Sequence, residues 1–266
     1  MQNHFFQGYD GIPRSVKPRT KGLTMVANFG VGPRALQDLL EIGGDYFDFL
    51  KIAVGLSRLY PKAILAEAIR LAQERDIESF PGGQFLEYAE IGGKAEGYFD
   101  ACIEAGYRWV EVSDNLASVS LEWKGRMIRG ARKAGLRVLG EVGKKEGLET
   151  TADLAEDASV CVDAGAEIIL LEAAEMVGDD AETARLVQGV VDAVGLEKVM
   201  FELPGPWIAG VHLCDVHAMQ SRLIAQFGSE VSIGNVMPSE LMKLEAYRRG
   251  LGVNAGSRMG LDDTAV

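Results

Sequence analysis

Glutamate recurs at the same place in four consecutive apolar runs of this sequence, directly after the apolar residues, as Glu111, Glu141, Glu172 and Glu202. Removing an unpaired carboxylate from water is costly, so these side chains need partners if the runs are buried. A divalent metal ion is one such partner, and Mg²⁺ suits oxygen ligands best. The alternative is a set of Glu–Lys ion pairs around the rim of the fold. Both interpretations stay open, and under the metal interpretation Glu141 and Glu172 are the strongest ligand candidates.

Three lysines accompany the carboxylates. Lys51 lies in the apolar stretch "FDFLKIAVG", where its ammonium is expected to be salt-bridged or to have a lowered pKa. Lys144 and Lys145 follow Gly143 in "LRVLGEVGKKEGLET", and glycine lets the backbone turn sharply close to a ligand. A phosphate or carboxylate could bridge such groups, which predicts an anion site. The alternative is that they are ordinary surface lysines.

The ends of the other apolar runs supply further candidates for substrate contact. The Gly-Gly pair in "FPGGQ" has backbone amides that could hold an anion. His212 and His217 in "VHLCDVH" are five residues apart, about 140° around a helix, which favours a partly exposed helix or a lid segment after the seventh strand over a metal site. The predicted substrate contacts are Lys51, Asn28, Gly82, Gly83, Gln84, Ser113, Asp114 and Asn235.

A repeated strand and helix unit is expected to position these residues. Eight apolar, β-branched runs recur roughly every 30 residues, and amphipathic stretches such as "PKAILAEAIRLAQER" lie between them. Such units are typical of parallel strands with right-handed crossovers, and eight of them favour a closed (β/α)8 TIM barrel of the α/β class. Catalytic residues then lie at the C-terminal ends of the strands. The predicted strands lie within 22–30, 46–55, 76–85, 107–115, 136–145, 166–175, 197–205 and 229–238.

The chain is predicted to form a single barrel domain. The stretches "AGYRWVEVSD", "AGLRVLGEVG" and "AGAEIILLEA" share an Ala-Gly that ends a helix just before a strand, and glycine there accepts the left-handed conformation. Linkers rich in Pro, Gly or Ser do not divide the sequence. We therefore predict an N-terminal extension over 1–20, the barrel over 21–252 and a loose tail over 253–266.

Composition excludes several classes of partner. The 266 residues carry a net charge of −12, which argues against a nucleic-acid or anionic-membrane surface, since both need a basic footprint. An apolar run long enough to span a membrane is missing, and the opening residues lack the core of a secretory signal, so a soluble cytoplasmic protein is expected. The three cysteines are too few for a disulfide framework, and Cys102 and Cys161 are predicted to be core residues.

The strand-end motifs together resemble a known family. In order and spacing, "KPRTKGLTMVANFG", "GDYFDFLKIAVG", "PGGQFLEYA", "VEVSDN", "GEVGKK", "FELP" and "LEAYRRGLG" are similar to the phosphosulfolactate synthase family, over residues 17–252. The resemblance implies a (β/α)8 barrel lyase that adds sulfite to phosphoenolpyruvate with Mg²⁺, giving (2R)-phospho-3-sulfolactate on the route to coenzyme M. It also implies a small anionic substrate and a homo-oligomer.

The family reaction assigns roles to residues of this chain. Sulfite attacks the methylene carbon of an enol phosphate, Mg²⁺ stabilises the charge that develops on the substrate carboxylate, and a lysine protonates the neighbouring carbon. By this resemblance Glu141 matches the carboxylate of "EVGKK" and Lys144 is the expected acid. Lys145 and Lys51 are the expected anion contacts.

Three positions depart from the family pattern. The first strand ends in "ANFG", so Asn28 stands where an aspartate is typical, and Ala174 stands where an arginine is expected. After "FELP" the longer segment "GPWIAGVHLCDVHAMQSRLIAQFG" begins, and Trp207, His212 or His217 could line a differently shaped pocket. A lost arginine contact removes about 1.5–3 kcal/mol per charge-assisted hydrogen bond. Three functions therefore stay open: sulfite addition, C–S or C–C bond chemistry on another carboxylate, and a non-catalytic stress-associated or binding barrel.

Overall fold

The computed structural model describes residues 5–6, 8–9, 11–117, 119–143, 153–172, 181–205 and 207–253. Eight strands and nine α-helices lie within these ranges, and each strand is followed by one helix except β3, which is followed by two. The strands are β1 (Thr24–Asn28), β2 (Phe49–Ile52), β3 (Glu78–Pro81), β4 (Trp109–Val112), β5 (Arg137–Val142), β6 (Ile168–Leu171), β7 (Val199–Glu202) and β8 (Ser232–Val236). The helices are α1 (Pro33–Gly43), α2 (Lys62–Gln73), α3 (Gln84–Ile91), α4 (Tyr98–Ala105), α5 (Leu121–Lys133), α6 (Leu154–Ala164), α7 (Ala181–Val194), α8 (Leu213–Phe227) and α9 (Leu241–Arg248).

The strands form one parallel sheet in the order β3-β2-β1-β8-β7-β6-β5-β4. All paired strands in this order run parallel. The two edge strands of the sheet, β3 and β4, contact each other, so the sheet is almost closed. Each predicted strand is present within its predicted range. The (β/α)8 TIM barrel is confirmed.

Alternation along the strands explains why charged residues point into the barrel. Successive side chains of a strand point to opposite faces. On β5, Leu139 belongs to the apolar cluster inside the barrel, whereas Val138 and Val142 belong to the cluster between sheet and helices. Glu141 is two residues beyond Leu139, so it points inward one layer closer to the C-terminal end.

The same step of two residues recurs on neighbouring strands. In each case an apolar interior residue is followed, two positions on, by a buried charged one. The pairs are Phe49 and Lys51, Trp109 and Glu111, Leu170 and Glu172, and Met200 and Glu202. The interior is therefore apolar at its floor and charged at the level above it.

Residues before β1 pack against the N-terminal side of the barrel. Arg14 donates hydrogen bonds to the carbonyl oxygens of Ser229 at 2.8 Å and Gly22 at 3.0 Å, and it forms a 2.9 Å salt bridge with Glu230. Because residue 229 lies just before β8, this cluster is on the side where the strands begin. The opposite side, where the strands end, is left for the functional site.

The helices form the packed outer layer that was predicted. Helices α4 and α6 end at Gly106 and Gly165, whose φ angles of 99° and 111° are the left-handed conformation expected of the Ala-Gly pairs. Cys102 and Cys161 are buried, as predicted. In the part of the chain that the structure describes, we find no helix that is long and apolar enough to cross a membrane.

Candidate active site

Three buried glutamates meet at the C-terminal ends of adjacent strands. One carboxylate oxygen from each of Glu141, Glu172 and Glu202 lies within 4.8 Å of the other two. Glu141 lies on β5, Glu172 directly follows β6, and Glu202 is the last residue of β7. Because neighbouring strands are about 4.8 Å apart, side chains that point inward at a similar level lie close together. Three of the four predicted metal ligands are in this group, and they include the two strongest candidates, Glu141 and Glu172.

Lys51 reaches the carboxylates from β2. Its Nζ lies 2.8 Å from Glu111 Oε2 and 3.0 Å from Glu202 Oε1, and all three side chains are buried. The second oxygen of Glu111, Oε1, accepts a hydrogen bond from the backbone N–H of Gly83 at 2.9 Å. Glu111, predicted as a fourth ligand, is thus placed against Lys51 and the Gly-Gly loop, outside the group of three.

Burial and charge shift the pKa values of this layer in a consistent way. Burial raises the pKa of Glu111 well above its usual value; Lys51 opposes the rise, and the neighbouring Glu141 and Glu202 add to it. Burial alone would lower the pKa of Lys51, but the surrounding carboxylates outweigh it and the pKa is raised well above normal. Of the two alternatives that the sequence left open for Lys51, the salt bridge is therefore observed and the lowered pKa is not.

The loop after β4 supplies contacts that sequence reasoning missed. Asn115 donates its side-chain amide to Glu141 Oε1. Glu87, a fully buried residue of α3, accepts from Ser113 Oγ at 2.5 Å and from the backbone N–H of Asn115 at 3.0 Å. Ser113, predicted to contact substrate, is therefore committed to Glu87. The "EYA" of the family-like motif contains Glu87 and was the one signal that could have drawn attention to it.

Lys124 of α5 fixes the ends of β4 and β5 from outside. Its Nζ donates to Asp114 Oδ1 at 3.2 Å, to Asp157 Oδ2 at 2.6 Å and to the backbone oxygen of Glu141 at 3.0 Å. Its side chain and both carboxylates are buried. Asp114, predicted as a substrate contact, is therefore engaged in an internal ion pair.

The Gly-Gly loop differs from its prediction. Gly82 donates its N–H to the carbonyl oxygen of Ile52 at 2.9 Å, and Gly83 donates to Glu111. The sequence prediction required these amides to be free for an anion. They are not free, because they hydrogen-bond the loop to β2 and β4. A Cβ on Gly83 would lie 2.3 Å from Ser113 Oγ, so glycine permits the close approach.

Asn28 uses its side chain to shape the loop after β1. Its Oδ1 accepts from the backbone N–H groups of Gly30 at 2.9 Å and Val31 at 2.6 Å, and its Nδ2 donates to the Val31 oxygen at 3.1 Å. The remaining predicted contacts are Asn235, which is buried on β8 with φ 55°, and the half-buried Gln84 at the start of α3. Their role toward a substrate stays a prediction.

An aromatic pair stands at the same end of the barrel. Phe29 directly follows β1, Trp207 comes five residues after Glu202, and their rings stack at 4.7 Å with an interplanar angle of 27°. A Cβ on Gly205 would lie 2.2 Å from the Trp207 ring, so that ring packs closely over the backbone after β7. Phe29 remains 41% exposed.

The histidines belong to a helix and not to the carboxylate group. His212 is the N-cap of α8 and its backbone N–H donates to Asp215 Oδ2 at 2.8 Å. His217 Nε2 lies 2.8 Å from Glu240 Oε2. The interpretation of "VHLCDVH" as part of a partly exposed helix is confirmed.

Lys144 and Lys145, the predicted acid and anion contact, lie outside the described residues, as does Ala174. The described chain ends at Gly143, directly after β5, and resumes at 153. The roles of both lysines stay predictions.

The fold and the site define a TIM barrel with a buried acidic centre, suited to a divalent cation, where the strands end. A model of the family described as (2R)-phospho-3-sulfolactate synthase (ComA) matches residues 12–254. The chain belongs to the phosphosulfolactate synthase family.

Several known proteins are similar to this chain over most of its length. A phosphosulfolactate synthase of Methanothermobacter thermautotrophicus is 32% identical over 250 residues, which cover 90% of this chain and 93% of the relative. The protein HEAT-STRESS-ASSOCIATED 32 of Arabidopsis thaliana is 26% identical, with 95% and 92% covered. Among solved structures, an HpcH/Hpal aldolase/citrate lyase family protein from Burkholderia cenocepacia J2315 superposes with a TM-score of 0.54 at 13% identity, covering 88% of this chain and 95% of that one. This last likeness shows the fold alone.

We predict that Lys51→Met lowers the free energy of unfolding by about 3–5 kcal/mol at pH 8, because it leaves Glu111 and Glu202 buried without their cation. Without Lys51 the folded-state pKa of Glu111, which burial already raises, rises further above the unfolded value of about 4.3. The penalty is therefore largest above the raised pKa and shrinks as the pH falls toward the unfolded value. Urea unfolding at pH 8 and pH 5 measures both effects.

The matched control is Lys62→Met, which removes a fully exposed pair with Glu104. It should leave the unfolding curve unchanged at both pH values, since exposed pairs contribute little. A Lys51→Met protein as stable as the wild type at pH 8 would show that Lys51 does not compensate the buried carboxylates.

Proposed function

We propose that this protein is a phosphosulfolactate synthase-like lyase that adds sulfite to phosphoenolpyruvate, with Mg²⁺ held by Glu141, Glu172 and Glu202. The observation that carries the proposal is the meeting of these three buried carboxylates within 4.8 Å, in a chain of this family. Lys51, on the opposite side of the same layer, adds the positive charge that an anionic substrate needs.

The three carboxylates fit a magnesium ion. Oxygen ligands lie about 2.0–2.1 Å from Mg²⁺, so two oxygens on one ion are about 3–4 Å apart. The oxygens of this group lie within 4.8 Å of one another, and small side-chain rotations would bring them to that spacing. When bound, the cation would act as a Lewis acid toward the carboxylate of the substrate.

Lys51 and Glu111 form the other half of the site. The Lys51 ammonium bridges Glu111 and Glu202, so it neutralises charge next to the cation ligands without leaving the layer. Glu111 also holds the backbone of Gly83. These contacts fix the positive charge in position before a substrate arrives, which lowers the reorganisation required during reaction.

The proton transfer is assigned to the segment after β5. The sulfur lone pair of sulfite forms a C–S bond with the methylene carbon, and the electrons of the C=C bond pass to the neighbouring carbon. Lys144 delivers a proton to that carbon, so no group leaves. Lys145 contacts the substrate anion. The position of both lysines, three and four residues after Glu141, supports these roles.

A second candidate function is favoured by the aromatic pair. Phe29 and Trp207 stack beside the ends of β1 and β7, and they place an apolar surface at the end of the barrel where the strands end. Phosphoenolpyruvate and sulfite are small and charged and have no group to match such a surface. The pair suits a related C–S or C–C bond reaction in which the nucleophile or acceptor carries an apolar or planar group.

The proposed sulfite addition is tested with purified protein, Mg²⁺, phosphoenolpyruvate and sulfite, followed by phosphorus NMR. We expect a new resonance for the product and calorimetric Mg²⁺ binding in the wild type. Glu172→Gln should weaken Mg²⁺ binding about 100-fold or more and stop turnover, because it replaces a negative ligand with a neutral one. The exposed Glu104→Gln is the control. Binding of Mg²⁺ without turnover contradicts sulfite addition, and absence of both contradicts an Mg²⁺-dependent enzyme at this site.

The role of Lys144 predicts different results for the two adjacent lysines. Lys144→Ala should lower kcat about 100-fold or more, the usual contribution of a general acid, with little change in KM. Lys145→Ala should mainly raise KM for phosphoenolpyruvate, since it removes an anion contact made before and during reaction. Steady-state kinetics of both variants, with circular dichroism as a folding control, separate these outcomes. Full turnover by Lys144→Ala would refute its role as the acid.

Trp207→Ala separates the two candidate functions. If the aromatic pair selects a larger partner, the substitution should raise KM for that partner about tenfold, the effect of losing an aromatic contact of about 1.5 kcal/mol. Turnover of sulfite and phosphoenolpyruvate should then stay unchanged. The measurement is a panel of thiol and carbanion nucleophiles, assayed by phosphorus NMR with wild type and variant. Wild-type turnover of sulfite alone would contradict the second candidate.

A further inference from the structure

A buried carboxylate outside the proposed cation site holds the loop after β4, residues 113–117. Glu87 of α3 accepts four hydrogen bonds from this loop. The donors are Ser113 Oγ at 2.5 Å and the backbone N–H groups of Asn115 at 3.0 Å, Leu116 at 2.6 Å and Ala117 at 2.9 Å. Both of its oxygens are used, two donors to each.

The loop held in this way carries a contact to the proposed cation site. Asn115, whose backbone N–H binds Glu87, donates its side-chain amide to Glu141 Oε1. Asn115 is buried, so water does not compete freely for the contact. One short path therefore runs from helix α3 through the loop to a carboxylate of the group of three.

The other side of the loop is fixed independently. Lys124 binds Asp114 at 3.2 Å, the residue just before Asn115, and it also binds the backbone oxygen of Glu141 at 3.0 Å. The backbone of Glu141 is thus held by Lys124, and one oxygen of its carboxylate accepts a hydrogen bond from Asn115. Glu87 determines where Asn115 lies.

We infer that Glu87 is a positioning residue that acts through Asn115 to orient the Glu141 carboxylate toward a divalent cation. This inference rests on the proposed function, because it concerns the same cation site. Partners that orient a metal ligand commonly contribute about 10- to 100-fold to metal affinity, although they do not touch the metal.

The full carboxylate is required at position 87. All four groups that face it are donors, and each of its two oxygens accepts from two of them. A glutamine has nearly the same shape, but its NH₂ group would face two donors and accept from neither. Glu87→Gln should therefore release one half of the loop without removing side-chain volume.

The experiment compares Glu87→Gln, Asn115→Ala and the double variant with the wild type, using Mg²⁺ and Mn²⁺ calorimetry. We expect each single variant to bind the cation about 10- to 100-fold more weakly. The double variant should be no weaker than the weaker single one, because both act on one contact. Hydrogen exchange at the Leu116 and Ala117 amides should accelerate in Glu87→Gln and stay unchanged in Asn115→Ala.

Glu245→Gln provides a matched control. Glu245 is also a buried helical glutamate, but it binds Arg14 and Arg249 on the opposite side of the barrel. Its substitution should lower the melting temperature and leave cation affinity unchanged. A purely structural role for Glu87 predicts the same behaviour.

The outcomes separate the inference from the proposed function. Wild-type cation binding with unchanged affinity in Asn115→Ala, or in a Glu87→Gln protein whose loop amides exchange faster, would overturn the inference alone. If Glu87→Gln fails to fold, Asn115→Ala decides. A wild-type protein that binds neither cation would overturn the proposed function and the inference with it.

Discussion

The contact of Lys51 with Glu111 and Glu202 is the interaction on which the candidate site depends. The layer below it is apolar, so water cannot solvate the carboxylates from that side. Burial raises the pKa of Glu111, and repulsion from the neighbouring carboxyl groups of Glu141 and Glu202 adds to the rise. The lysine offsets part of this repulsion, and a divalent cation at the neighbouring glutamates would offset more. Stability and cation binding are thus two consequences of the same charges.

A simple sequence pattern on each strand is sufficient to produce this charge layer. A strand must only carry an apolar residue and, two positions on, a charged one, and the parallel arrangement brings these positions together. What the strands do not determine is the orientation of each side chain. That is decided by loops and helices, through Gly83 on Glu111, Asn115 on Glu141 and Lys124 on the ends of β4 and β5.

The strands, the barrel and the buried glutamates could be predicted from the sequence, because each follows from a local period of two residues and a repeat along the chain. The contacts of Glu87 and Lys124 could not be predicted, since their partners lie on other elements and depend on how the helices pack. Asp114 shows the limit most clearly. It lies at a strand end like the glutamates of the proposed cation site, but its carboxylate binds Lys124. Its position in the sequence does not reveal in which direction the side chain points.

Two features that the sequence predicts to depart from the family pattern, Asn28 and the segment after β7, meet in one contact. Asn28 holds the loop after β1 by accepting two N–H groups and by donating its amide to Val31, and an aspartate could not make the last of these bonds. Phe29 lies in that loop, and Trp207, which stacks on it, comes from the segment that differs after β7. Asn28 and the segment after β7 are therefore linked through the stacked rings of Phe29 and Trp207, at the end of the barrel where the charged layer lies.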